Sequence, residues 1–151
     1  MNVRQLVLGD IDAVENLDHA IRGPDRSKTW DVYIDRVLRS GYLDALPHPP
    51  WGCFVAEDGD ELIGFIVAER QMPTYGLPPG ARIVALAVDS AQRRRGVGKS
   101  LVGKLVEECK KTGLDNIYSI LMDEDERDAS FLESAGFGPA NFKVFNRPVS
   151  E

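Results

Sequence analysis

The chain has 151 residues, of which 43% are hydrophobic and 28% charged, a composition typical of one globular domain with one core. Its net charge of −6 argues against broad binding to nucleic acid, and no apolar run reaches the roughly 18 residues that cross a membrane. The N-terminus lacks the layout of a signal peptide. We therefore expect a single cytoplasmic domain over residues 1–151 that binds neither nucleic acid nor membranes.

The first part of the chain predicts one strand and two helices. Residues 2–8 alternate as a strand does, and Asp10 is suited to cap the helix that follows it. Apolar side chains at helical spacing predict a second helix from Ser27 to near Gly41. The prolines in residues 45–50 cannot continue a helix and predict a loop.

Three strands are predicted next, over residues 51–58, 61–71 and 81–89. A Gly-Asp pair between the first two is a hairpin signal, so we expect these two strands to be antiparallel. Residues 83–88 are almost wholly apolar, which predicts a strand that is buried on both faces.

The last third of the chain predicts a crossover helix and further elements. Apolar positions spaced by four predict a helix from about residue 96 to 112, followed by a strand over 116–122 that is parallel to 81–89. The acidic residues 123–128 suit the start of a short helix, and 141–147 alternate as a last strand. The predicted fold class is mixed α/β, with one mostly antiparallel central sheet, about four flanking helices and one parallel strand pair.

The few cysteines and histidines predict no metal site. Neither residue type forms a C-x-x-C or H-x-x-x-H pair, which are common spacings of metal ligands. Cys53 lies in an apolar strand and Cys109 on an apolar helical face, so we interpret both as core residues and not as catalytic thiols.

The stretch "QRRRGVGKS" at residues 92–100 contains the most informative pattern. It fails as a nucleotide-binding P-loop because the first glycine of that motif would fall at Arg93. It also fails as a dinucleotide fingerprint, since the third glycine would be Leu101. The stretch therefore needs a different interpretation.

The same stretch joins a predicted strand to the start of a predicted helix, and we call residues 93–100 the glycine loop. A helix N-terminus presents unpaired N–H groups that bind anions. Gly96 and Gly98 allow a phosphate to approach those groups, and three arginines and Lys99 add positive charge. An anion site is favoured, although glycines that only ease a tight turn, or a solvated basic loop, remain the alternative.

The segment "LAVDSAQRRRGVGKSLV" resembles the acetyl-coenzyme A motif [Q/R]-x-x-G-x-[G/A] of the GNAT N-acetyltransferase superfamily, with Arg93, Gly96 and Gly98 at its defined positions. The predicted order of elements is similar to that of the family. "FLESAGF" at residues 131–137 resembles its C-terminal F-Y-x-x-x-G-F element. The resemblance extends from residue 1 to about residue 147.

The resemblance implies a binding mode for acetyl-CoA, with no metal. It implies that the pantetheine arm pairs with the backbone of Leu86, Ala87 and Val88, and that the Val88 N–H stabilises the oxyanion. The pyrophosphate would be bound by the glycine loop. The implied residues of that loop are Arg93, Arg94, Arg95, Gly96, Val97, Gly98, Lys99 and Ser100.

The reaction implied is direct attack on the thioester by an acceptor amine of a small molecule, an amino acid or a peptide N-terminus. The tyrosine that many family members use as general acid is Leu132 in this chain. Glu69 is therefore a candidate base, and Tyr118 and Tyr75 are candidate side chains near the cleft. A non-catalytic acyl-CoA-binding or regulatory module is the alternative function, and the exposed edge of the sheet after residue 147 favours a homodimer.

Overall fold

The structure is a computed structural model that describes residues 1–23, 28–42, 49–71 and 76–149. The chain divides into two compact units, Met1–Ile120 and Leu121–Glu151. The single domain over the whole chain therefore stays a prediction, and the two units are described in turn.

The first unit contains a five-stranded sheet with the strand order β1-β2-β3-β4-β5. The first three pairings are antiparallel, whereas β4 and β5 are parallel. Three helices accompany the sheet, and a fourth forms the second unit, so the predicted mixed α/β class is confirmed. The strands are β1 Asn2–Gln5, β2 Phe54–Asp58, β3 Glu61–Gln71, β4 Gly80–Val88 and β5 Ile117–Tyr118; the helices are α1 Ile11–Arg22, α2 Lys28–Arg39, α3 Val97–Thr112 and α4 Glu126–Ser134.

The apolar faces of these elements form cores on both sides of the sheet. On one side, Ile11 of α1 and Ile34 of α2 belong to a buried cluster that includes Phe65 of β3. On the other side, a Cβ placed at Gly64 would lie 3.1 Å from Val97 at the start of α3. Each fully buried aliphatic or aromatic side chain of this kind stabilises the fold by about 1.5–3 kcal/mol. Alternation along β3 thus assigns successive side chains to opposite helical layers.

Asp10 does not cap α1 through its side chain, contrary to the prediction. Its carboxylate instead accepts a hydrogen bond from the Val7 N–H at 2.8 Å. It also pairs with both terminal nitrogens of Arg4, at 2.7 and 2.9 Å. Hydrogen bonds to the Arg4 guanidinium and to the Val7 N–H stabilise the carboxylate more than a bond to one unpaired helical N–H would. The Asp10 side chain therefore points to Arg4 of β1 and not to the start of α1.

Two predicted strands differ from the structure. The strand expected over 116–122 is limited to Ile117–Tyr118, because β5 pairs with β4 at only two positions. The strand expected over 141–147 is absent, and Val144 and Phe145 are 66% and 89% exposed. Alternation alone does not make a strand, since the backbone groups need a partner to complete the ladder. The edge strand on which the homodimer prediction rested is therefore missing from this segment.

The burial of β4 also differs from the prediction. Ala85 and Ala87 are buried, whereas Leu86 and Val88 are only half-buried. The prediction of burial on both faces was wrong, since only alternate residues in the C-terminal half of β4 are buried. The hairpin β2–β3 and the helix α3 agree with their predicted bounds to within three residues. Among the helices in the described ranges, none is long and apolar enough to cross a membrane.

Candidate active site

Helix α3 begins at a glycine turn that leaves backbone N–H groups without helical partners. Gly96 precedes the helix with a φ of 80°, in the left-handed region that favours glycine. The first hydrogen bond of the helix joins the Ser100 N–H to the Gly96 carbonyl at 2.9 Å. The three N–H groups before Ser100 therefore have no partner within the helix and give this end a partial positive charge that attracts anions.

Arg94, two positions before Gly96, also has a left-handed backbone, with a φ of 64°. It is the single non-glycine residue with positive φ among those that the structure describes. Such a conformation costs about 1–3 kcal/mol and concentrates at functional sites. Left-handed residues within a turn are typical of backbone nests, which bind phosphate oxygens through successive N–H groups. The strain at Arg94 is a sign that this turn is shaped for a ligand.

Of the four cationic side chains of the glycine loop, one is paired with a carboxylate that the structure describes and three are not. Arg95 donates to Gln92 and lies 3.5 Å from the carboxylate of Asp58, the last residue of β2. In the described part of the chain, Arg93, Arg94 and Lys99 form no ion pair with a carboxylate. Their charges are therefore free to attract an anion, while Arg95 connects the loop to the sheet.

The strand that leads to the glycine loop has an open edge. The pairing of β4 with β5 ends at Arg82 opposite Tyr118, and six residues of β4 continue beyond it. The Asp89 N–H donates to the Ile63 carbonyl of β3 at 2.9 Å. Because backbone groups alternate in direction along a strand, those of Ala87 also point to β3, and those of Leu86 and Val88 point to the open edge.

A register shift in the β3–β4 ladder accompanies this opening. Val67 pairs with Ala85 and Ala68 with Ile83, so Val84 is the extra residue of a bulge. Bulges bend a strand and change the direction of its backbone groups. Both the bulge and the early end of the β5 pairing make the C-terminal half of β4 accessible at its edge.

Tyr118 lies at the other end of β4 from the glycine loop. Its hydroxyl donates to the Pro78 carbonyl at 3.1 Å. A Cβ at Gly80 would lie 2.7 Å from the Tyr118 ring and 2.6 Å from the Asn116 carbonyl, so only glycine permits this approach. Tyr118 pairs with Arg82, and Arg82 lies four residues before Leu86, which is about 13 Å along the strand. Tyr118 thus supports the start of the parallel pair.

Glu69 is held by two polar side chains that the sequence did not indicate. Arg82, directly opposite on β4, donates to Glu69 Oε2 at 3.0 Å. The hydroxyl of Tyr33, from α2, donates to Glu69 Oε1 at 3.0 Å. Burial and the neighbouring Glu69 carboxylate raise the pKa of Tyr33, so its hydroxyl stays protonated. No local pattern links these three residues, because they come from separate elements.

A cleft of about 470 Å³ opens between α2 and the end of β3. Of the predicted site residues that the structure describes, Glu69 is the one that lines it. We call this space the α2–β3 cleft. Its lining residues are Tyr33, Arg36, Val37, Ser40, Pro50, Trp51, Ala68, Glu69 and Arg70.

Tyr75 and the two cysteines are the remaining residues considered from the sequence. Tyr75 lies outside the described residues. Both cysteines are buried, as predicted, and burial raises the pKa of Cys53 to about 12. A thiol with so high a pKa is not a nucleophile near neutral pH.

Comparisons with known proteins point to one family. A family model described as the acetyltransferase (GNAT) family matches residues 14–137. The chain is 32% identical over 85 residues to the uncharacterized N-acetyltransferase YvbK of Bacillus subtilis, covering 56% of this chain and 52% of that protein. It is 41% identical over 64 residues to the L-2,4-diaminobutyric acid acetyltransferase of Shouchella clausii, covering 38% and 32%. The human N-alpha-acetyltransferase 30 is 28% identical over 113 residues, covering 75% and 29%.

The chain thus spans about half or less of the length of the curated relatives that it matches. Among solved structures, AAC(6')-Iy in complex with the bisubstrate analog CoA-S-monomethyl-acetylneamine has a TM-score of 0.75 at 17% identity. That similarity covers 99% of this chain and 98% of the other, and it concerns the fold. The family model covers most of the sequence, and the chain belongs to the acetyltransferase (GNAT) family.

Proposed function

We propose that the protein is an acetyl-CoA-dependent N-acetyltransferase that modifies a primary amine of a small molecule, an amino acid or a peptide N-terminus. One observation carries the proposal: the open edge of β4 leads directly into the N–H groups of the glycine loop. Acetyl-CoA has the matching chemistry, because its pantetheine arm contains amides and its other end contains a pyrophosphate. The family membership of the chain supports the same conclusion.

The open edge of β4 supplies two backbone N–H groups, those of Leu86 and Val88. Either N–H group can donate to an amide carbonyl of the pantetheine arm, which then takes the place of a neighbouring strand. Val88 is the predicted oxyanion donor, and Leu86, about 7 Å further from the glycine loop, is the second candidate. Bound acetyl-CoA supplies an acetyl group activated as a thioester. The Ala87 backbone, which points to β3, would contribute through its side chain alone.

The glycine loop would hold the pyrophosphate. The N–H groups of Val97, Gly98 and Lys99 would donate to its oxygens, and the unpaired cations Arg93 and Arg94 would add charge at the rim. Ser100 is half-buried just inside the helix and bonds to Gly96 through its N–H, so its contribution is to close the first turn. Arg95 would contribute by holding the glycine loop in position, since it pairs with Asp58.

Glu69 is the side chain best suited to take a proton from the acceptor. An alkyl amine has a pKa near ~10.4 and arrives as an ammonium ion, which must lose a proton before its nitrogen can attack. Glu69 lines the α2–β3 cleft and lies opposite Arg82, about 13 Å along β4 from Leu86, so it would accept that proton through bridging water. The C–N bond then forms as the C–S bond breaks; the nitrogen gives its second proton to water, and the leaving sulfur takes a proton from water, so the two transfers balance. Tyr118 is less suited, because its hydroxyl is bonded to Pro78.

The names of the relatives support an amine acceptor. They include an acetyltransferase of L-2,4-diaminobutyric acid and an N-alpha-acetyltransferase. What these names share is the acetylation of an amine.

Binding of acetyl-CoA tests the proposal directly. Calorimetry should give a 1:1 complex with acetyl-CoA and no signal with ATP, since the loop is not a P-loop. Gly98→Val should weaken acetyl-CoA at least tenfold, because its side chain would fill the space over the loop N–H groups. Gly103→Val, in the same helix but facing open space, is the matched control and should bind normally. Binding of ATP in place of acetyl-CoA would refute the proposal.

A non-catalytic acyl-CoA-binding module is the second candidate, because Leu132 stands where many relatives have a tyrosine. The release of free thiol distinguishes the two functions. An N-acetyltransferase releases CoA in proportion to the acceptor that is acetylated, whereas a binding module releases none with any amine. Leu132→Tyr should raise the rate if the enzyme is active and only lacks this acid.

A further inference from the structure

The α2–β3 cleft carries more positive charge than the rest of the chain would suggest. Arg36 of α2 and Arg70 of β3 line it, and neither forms an ion pair with a carboxylate in the described ranges. Among the described residues that line the cleft, Glu69 is the one carboxylate, and it is already paired with Arg82. Within that described part, two arginine charges remain without a paired carboxylate, in a chain whose net charge is −6. An uncompensated positive cleft attracts an anionic group.

Arg70 is held in a defined position by an aromatic neighbour. Its guanidinium lies 5.0 Å from the centre of the Trp51 ring, within the range of a cation–π contact. Stacking restrains the plane of the guanidinium and leaves its N–H edge free. That edge is the group that binds a carboxylate with two parallel hydrogen bonds.

The cleft adjoins the proposed reaction site through one pair of residues. Glu69 lines the cleft, and its partner Arg82 lies on β4 two residues before the bulge at Val84. The β4 edge with its free N–H groups begins just beyond that bulge. An acceptor whose amine reaches Glu69 therefore has its other end among the arginines of the cleft.

We propose that the acceptor is a primary amine that also carries a carboxylate, with the carboxylate bound by Arg36 and Arg70 and the amine directed to Glu69. This inference rests on the proposed function and narrows its acceptor class. Val37 and Pro50 give the cleft an apolar wall, which suits the hydrocarbon between the two polar ends. A polycationic acceptor such as an aminoglycoside would be repelled by the same arginines.

Direct binding tests the acceptor class without relying on turnover. Amino acids with two to six carbons between amine and carboxylate, and short peptides, are each compared with the matching primary carboxamide by calorimetry in the presence of CoA. At least one acid should bind roughly tenfold more tightly than its amide, since only the acid accepts charge-assisted hydrogen bonds with its carboxylate. If no acid in the series binds better than its amide, the inference is wrong.

Variants of the two arginines assign the effect to the cleft. Arg70→Gln and Arg36→Gln should each remove most of the preference for the acid and leave binding of the amide within about twofold. Lys110→Gln, which removes an exposed positive charge at the end of α3 instead, is the matched control and should keep the preference. An unchanged preference in both arginine variants would overturn the assignment to this cleft.

The binding and turnover results separate this inference from the proposed function. Selective binding of an acid without release of CoA would support the cleft assignment and count against catalysis. Acetylation of amines with and without a carboxylate at equal KM, in both wild type and Arg70→Gln, would support catalysis and refute the inference. In the expected outcome, the acid is acetylated and Arg70→Gln raises its KM roughly tenfold with little change in kcat.

Discussion

Glu69 and Arg82 face each other across β3 and β4, with the Arg82 Nη2 atom 3.0 Å from the Glu69 Oε2 atom. The pair is partly exposed, so its contribution to the stability of the fold is small. Its importance lies in position, because Glu69 lines the cleft whereas Arg82 lies just before the bulge of β4. Arg82 and Tyr33 fix the carboxylate and leave its remaining lone pairs for a substrate proton or a bridging water.

Replacing Glu69 by glutamine should lower kcat by about 10²–10⁴-fold, the usual contribution of a positioned general base. The KM for acetyl-CoA should stay within twofold, because Glu69 is remote from the glycine loop. Glu61→Gln, at the exposed start of the same strand, removes the same charge and should leave kcat unchanged. Steady-state kinetics at a saturating acceptor concentration give both numbers. Activity of Glu69→Gln near the wild-type level would show that water or another group takes the proton.

The contact between Gly80 and β5 predicts a loss of stability on adding one methyl group. A Cβ at Gly80 would lie 2.6 Å from the Asn116 carbonyl, which is backbone and cannot move aside cheaply. Gly80→Ala should therefore reduce the free energy of unfolding by about 1–3 kcal/mol. Gly103→Ala, in the interior of α3 with open space around it, should raise it by about 1 kcal/mol. Urea denaturation of both variants measures the difference, and equal midpoints would contradict the close approach of the two strands.

The left-handed backbone of Arg94 predicts a difference between two substitutions at one position. Glycine tolerates a φ of 64°, whereas a β-branched residue there adds strain. Arg94→Gly should be more stable than Arg94→Val by about 1–2 kcal/mol. Both lose the same charge, so their affinities for acetyl-CoA should differ only by the distortion of the loop, with valine the weaker. Equal unfolding free energies would mean that the turn relaxes to another conformation.

Local signals in the sequence were sufficient for the elements whose structure is decided locally. The apolar stripe of α3 and the glycines at both of its ends predict its bounds, and the Gly-Asp turn predicts the hairpin. The glycine loop was likewise predictable, because its glycines and cations are contiguous. The glycine loop, which joins the end of β4 to the start of α3, is therefore the part of the candidate site that could be predicted from the sequence.

Features that depend on distant partners could not be found in this way. Arg36 and Arg70 are far apart in sequence, and neither stands in a recognisable motif, so their meeting in the cleft follows only from the packing of α2 on the sheet. The same holds for Tyr33 and Arg82 around Glu69. The false strand at 141–147 has the converse cause, since its alternation is suitable but the segment forms no backbone ladder with a described strand.

A carboxyl pair between α1 and α2 predicts how stability depends on pH. Glu15 shares a hydrogen bond with Asp35, and burial, followed by this neighbour, raises the pKa of Glu15 to about 7 from an ordinary 4.5. Arg39 donates to Asp35 at 2.6 Å and holds the pKa of Asp35 below its ordinary value. Below about pH 7, Glu15 therefore keeps its proton in the folded protein and donates it to the Asp35 carboxylate.

Because the folded pKa of Glu15 lies above its unfolded value, the folded state binds more protons between pH 4.5 and about 7. The stability that this group contributes is full below the lower value and is lost as the pH rises through the upper one. Wild type should therefore lose stability from pH 5 to pH 8, and Glu15→Gln, which cannot ionise, should lose less and be the more stable of the two at pH 8. Urea denaturation at both pH values, with Glu61→Gln as control, isolates this effect from other titrating groups. A variant with the same pH dependence as wild type would show that Glu15 is ionised in the folded protein.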